Sequence, residues 1–78
     1  MMEENKNNKK NIQVILQIDP GTLLKKTTEI DDDKIDIFTE TIFNNLKLCE
    51  EYFLFATDNG GRVLVNKNRI IALEVIEI

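Results

Sequence analysis

All the glycine and proline of this 78-residue chain falls in two places, Asp19-Pro20-Gly21 and Gly60-Gly61. These are the residues that most readily reverse a backbone, proline by fixing φ and glycine by reaching φ values closed to other residues. Between Gly21 and Gly60 neither occurs, so any reversal in that interval must be built from Asp and Asn. The two breaks sit between apolar segments, which is the arrangement of two hairpins flanking a longer central element.

The segment ahead of the first break alternates. Ile12, Val14, Leu16 and Ile18 interleave with Gln13, Ile15 and Gln17, a period of two that predicts a strand with one buried face. Pro20 and Gly21 suit the second and third positions of a type II turn. Residues 22–30, with Leu24 and Ile30 on one parity and Thr27 and Thr28 between them, then return as the partner strand.

The central segment has a different period. Ile35, Phe38, Ile42, Leu46 and Cys49 recur at spacings of 3, 4, 4 and 3, which paints one face of a helix over residues 34–49. Asp31, Asp32 and Asp33 precede it, where they are placed to cap the helix and favour the positive end of its dipole. By propensity alone, Ile35, Ile37, Thr39, Thr41 and Phe43 fit a strand, which would make the chain all-β. The five-position stripe and its acidic approach outweigh propensity.

The C-terminal third reads as three strands. Tyr52 to Thr57 is an aromatic-rich run, Asp58-Asn59-Gly60-Gly61 is a turn, and Arg62 to Asn66 returns. Asn66-Lys67-Asn68 breaks the chain again before the apolar run from Arg69 to Ile78. Residues 53–55 and 70–73 are apolar on both parities, so these strands are covered on both faces or contribute one face to another subunit. The expected fold is α+β in the order ββαβββ, a small mostly antiparallel sheet or an SH3/Sm-like barrel with one helix.

Residues 1–11 hold no apolar residue after Met1 and Met2 and are expected to form a disordered tail ahead of one domain over residues 12–78. Ile, Leu, Val and Phe supply 27 of the 78 residues, enough for a core, although a domain of this size is marginal on its own. The lone Cys49 excludes an intramolecular disulfide, and its neighbours Leu48, Glu50 and Glu51 offer no cation to activate it. Oligomerisation is therefore one source of stability open to the chain. No apolar run approaches the ~18 residues of a membrane span, and the polar N-terminus lacks a signal-peptide pattern, so a cytoplasmic location is expected. The abundance of Asn, Lys and Ile suits AT-rich codons, and hence a low-GC bacterial genome or a phage infecting one.

Composition also narrows the chemistry. There is no His and no Ser, which removes His-based acid–base work, Ser nucleophiles and His-ligated zinc. The acidic run Asp31-Asp32-Asp33 with Asp36 lacks the alternating ligands and central Gly of a calcium loop; helix capping accounts for it, and neither a metal nor a cofactor is expected. Asp58-Asn59-Gly60-Gly61-Arg62 lacks the Lys-Ser/Thr of a phosphate loop and opens a strand rather than a helix. The formal net charge of −4 argues against a broad phosphate-binding surface.

Arg62, Lys67 and Arg69 stand at the two breaks of the C-terminal region, with Tyr52 at the start of its first strand. Brought together, they would hold an RNA phosphate, a nucleotide or an acidic loop; left apart, they are a solvated rim that protects strand edges. The segment from Val63 to Leu73 resembles the second motif of Sm-like RNA-binding barrels. That resemblance implies an RNA-binding, ring-forming β module, but Asn66 and Lys67 occupy the two positions where the family places its Arg-Gly pair.

The sequence therefore points first to a non-enzymatic protein-interaction module, self-associating through its C-terminal strands at Phe53, Phe55, Ile71, Leu73 and Val75. A phage or mobile-element inhibitor of a host protein falls inside this class. The alternative is an RNA- or nucleotide-binding small β-barrel using the cationic rim, and no membrane partner is expected.

Overall fold

Alternation in the first apolar segment produces the spine of the structure. In a computed structural model, which describes residues 8–78, β1 spans Lys9–Ile18 and buries Ile12, Val14 and Leu16 on one face. β2 (Thr22–Asp31) returns antiparallel to it, with Ile18 opposite Thr22 and Lys9 opposite Asp31. The turn falls where Pro and Gly place it. It is not type II, however: Gly21 stays outside the left-handed region, and the Asp19–Pro20 peptide is cis.

β1 begins at Lys9, so residues 9–11 are strand and not tail; residues 1–7 lie outside the described residues. Pairing and charge, not burial, hold this polar stretch. Lys9 Nζ lies 3.1 Å from Asp31 Oδ1, an ion pair outside hydrogen-bond geometry. Lys10 Nζ lies 3.8 Å from Asp32 Oδ1 and 3.5 Å from Glu77 Oε1. The acidic run thus neutralises lysines across the sheet.

A 3-10 turn over Asp32–Lys34 leads into α1 (Ile35–Leu48). The aspartates make no side-chain capping bond at either start, so their contribution there is limited to charge near the helix dipole. Phe38, Ile42, Leu46 and Cys49 pack against the core, as their spacing requires. Two β-branched residues fit the helix by bonding back one turn: Thr39 Oγ1 donates to Ile35 O and Thr41 Oγ1 to Ile37 O. The all-β alternative is therefore overturned by the helical stripe.

β3 (Tyr52–Ala56) and β4 (Arg62–Asn66) form a two-stranded sheet, with Leu54 opposite Leu64 at its centre. Gly60, at φ +86°, makes the reversal that only glycine adopts readily. A second 3-10 turn, Lys67–Arg69, connects to β5 (Ile70–Glu77), which pairs antiparallel with β1. The order ββαβββ is the one expected, and the strands divide into a three-stranded sheet, β2-β1-β5, and the hairpin β3-β4.

No barrel closes. Closure would need β2 to pair with β3 and β4 with β5, and neither ladder forms among the described residues. The apolar face of α1, inserted in the chain between β2 and β3, packs on the core through Phe38, Ile42 and Leu46. It supplies apolar cover that a closed sheet would otherwise provide. The SH3/Sm-like barrel is thus not what this sequence builds. The core lies between the two sheets at Val14, Leu16, Phe53, Phe55 and Val65.

Candidate interaction surface

The β3–β4 hairpin has two unlike faces because its strands are apolar on both parities. Phe53, Phe55 and Val65 point into the core. On the other parity, Tyr52, Leu54 and Leu64 are 54%, 60% and 66% exposed. Register puts Leu54 directly opposite Leu64, with Tyr52 opposite Asn66 and Ala56 opposite Arg62. A small apolar centre flanked by a tyrosine and an arginine results, a composition enriched at protein interfaces.

The five expected self-association residues stand in different surroundings. Phe53 and Phe55 are buried in the core, reached only at the floor of a groove beside β3. Leu73 and Val75 are half-buried and pack against the same core. Of the five, only Ile71 is largely exposed; it borders a groove of about 290 Å³ between β5 and α1, together with Phe43 and Leu46. Leu54 and Leu64, which sequence reasoning left out, carry the exposed apolar area of the hairpin. With residues 53–55 and 63–65 apolar on both parities, the sequence does not say which parity faces inward.

The cationic rim does not assemble. Lys67 Nζ donates to Lys47 O at 3.0 Å and Cys49 O at 2.8 Å, so its charge sits on carbonyls at the C-terminal end of α1, where a cation is favoured. Its backbone N–H donates to Glu51 O at 2.8 Å. Arg69 clasps the first turn: Nη2 donates to Asp19 O at 2.9 Å, and Arg69 O accepts the Asp19 N–H at 2.8 Å. Arg62 opens β4 and Lys67 follows its end, about 16 Å away at strand rise. Tyr52 stands near the Lys67 end, opposite Asn66. Lys67 and Arg69, on one turn, are each held by carbonyls, and Arg62 stands at the other end of β4.

A second feature lies along the edge of β3. An apolar groove of about 490 Å³ runs between β3 and α1, floored by Val14, Phe38, Ile42, Phe53 and Phe55, with Lys26 entering from β2. Beside it, Asp58 joins the two sheets. Its carboxylate accepts the Thr27 N–H at 2.6 Å and the Thr27 hydroxyl at 3.0 Å, and its own N–H donates to Lys25 O. The Thr27 amide bond, reinforced by the Thr27 hydroxyl and the charge of Lys26, holds the Asp58 carboxyl below the usual aspartate range against an opposing desolvation.

Among the described residues, no group of three or more Cys, Asp or Glu is arranged to hold a metal ion, and no helix is long and apolar enough to cross a membrane. Cys49 is half-buried, its thiol donating to Leu46 O. Comparison with known proteins finds no matching family model, no matching curated protein and no matching solved structure.

Proposed function

We propose that this protein is a non-enzymatic interaction module that self-associates through the outer face of the β3–β4 hairpin. The observation that carries the reading is the Leu54–Leu64 pair, two leucines facing each other across a ladder with most of their surface in solvent. A monomer of this size gains little from placing them there, and a two-fold contact of one hairpin face on another would remove both pairs from water at once. Arg62 and Tyr52 border that contact as rim residues, a role that fits their exposure on the same face.

Against the RNA- or nucleotide-binding alternative stand the bonds of Lys67 and Arg69 to intramolecular carbonyls and the placement of Arg62 at the other end of β4. The proposal is tested by the solution mass of the purified chain across a concentration series at two salt concentrations. A mass rising to that of a closed oligomer, weakly dependent on salt, is expected for an apolar contact. A monomer throughout would refute self-association.

A further inference from the structure

We propose that the groove between β3 and α1 takes an extended segment of a partner protein, added as a strand to the free edge of β3, with an acidic side chain of that segment meeting Lys26. The inference rests on reading the protein as an interaction module; its groove meets the outer hairpin face at Tyr52 and Leu54, which line both, and departs from it at Leu64, which does not line the groove.

The backbone comes first. β3 pairs with β4 on one side, and among the described residues no backbone bond leaves its other edge. All five residues Tyr52–Ala56 line the groove. Side chains of alternate parity point to opposite faces of a strand, so a cavity that touches every one of them runs along the backbone edge itself. An edge of this kind offers N–H and C=O groups to an incoming strand, which is how strand addition obtains affinity without a particular sequence. The edge of β2 is not equivalent. At Lys25 and Thr27 its carbonyl and amide are already taken by Asp58.

Selectivity comes from the lining. Val14, Phe38, Ile42, Phe53 and Phe55 form an apolar floor, which favours apolar side chains on one parity of the added segment. Lys26 is the one charged residue in that lining. It sits on the core-facing parity of β2, opposite buried Val14, half-buried itself. Among the described residues no carboxylate lies within ion-pair distance of it. The acid whose charge it senses, Asp58, is hydrogen-bonded by both oxygens to Thr27. A cation beside an apolar floor and without a close carboxylate is complementary to one acidic side chain on an otherwise apolar strand.

The test uses the full chain and labelled probe peptides, Thr-Val-Thr-Glu-Thr-Val-Thr, in which Val and Glu share the parity that faces the floor, its Glu-to-Lys counterpart, and a form of the first N-methylated at alternate amides. Binding is read by fluorescence anisotropy for wild type, Lys26→Met and Lys26→Glu. Wild type is expected to prefer the Glu peptide by about tenfold; the preference disappears in Lys26→Met and reverses in Lys26→Glu. N-methylation on the pairing edge is expected to weaken binding by about tenfold or more, because it removes strand-addition bonds. Lys26→Met keeps the aliphatic stem and decides the matter if Lys26→Glu does not fold. Absence of saturable binding up to about 1 mM, or a Glu preference that survives in Lys26→Met, would overturn the proposal. Probe binding that is lost as copies of Leu64→Asp associate, with the hairpin face disabled, would place a second copy of the chain in the groove instead, and so would also overturn it. The solution mass of the same samples reports self-association separately, so either reading can fail while the other stands.

Discussion

Replacing Leu64 with aspartate puts a charge at the centre of the hairpin's outer face while leaving Phe53, Phe55 and Val65 in place beneath it. Complete burial of a leucine side chain is worth about 1.5–3 kcal/mol. With 66% of Leu64 exposed in the single chain, covering it in a contact contributes about two thirds of that, or about 1–2 kcal/mol per copy. A two-fold interface uses the residue twice, so the substitution should cost the dimer about 2–4 kcal/mol, raising its dissociation constant about 30- to 700-fold. The fold should notice far less. Within the chain, Leu64 faces Leu54 across the ladder, and such a cross-strand pair contributes about 0.2–1 kcal/mol. Sedimentation equilibrium on wild type and Leu64→Asp, with far-ultraviolet circular dichroism and a urea titration on both, separates the two effects. A variant that remains folded and associates as tightly as wild type would refute the placement of the interface on this face.

Other consequences follow from the interior. Leu16→Ala, at a fully buried position on β1, should cost about 2–5 kcal/mol of unfolding free energy, measured as a lowered urea midpoint, whereas Ile12→Val should cost about 0.5–1.5 kcal/mol. Lys67→Met retains the aliphatic stem but removes the ammonium from Lys47 O and Cys49 O. A loss of about 1–3 kcal/mol is expected, since hydrogen bonds from charged groups exceed neutral ones; a midpoint unchanged from wild type would show that the clamp contributes nothing. Asp58 should titrate below the usual aspartate range when its carboxyl carbon is followed by NMR, because Thr27 bonds its charged form. With its folded pKa depressed, its contribution to stability is present above the unfolded aspartate pKa and is lost as pH falls through the folded value. The stability gap between wild type and Asp58→Ala should therefore be widest near neutrality and narrow in acid, and a gap independent of pH would exclude the latch.

Periodicity and turn chemistry are local, and they determined the five strands and the helix of the described residues, apart from the polar start of β1. The alternation of Ile12, Val14 and Leu16 made β1, the stripe from Phe38 to Cys49 made α1, and Pro20, Gly21 and Gly60 fixed where the hairpins reverse. The order ββαβββ was legible for that reason. Tertiary structure decided the rest, because each remaining choice depends on what a residue meets across the fold. The hairpin's strands are apolar on both parities, and only the docking of α1 and β1 on one side made Phe53 and Phe55 core and left Leu54 and Leu64 in solvent. Whether the strands would close into a barrel turned on α1 covering the core between the sheets, which no pattern within a single segment encodes. The cations behaved likewise: Lys67 and Arg69 looked alike in sequence as free charges at a break, yet carbonyls 18 and 50 residues away bind them. Lys26, which no motif singled out, became the charged residue of the groove because strand register placed it opposite buried Val14.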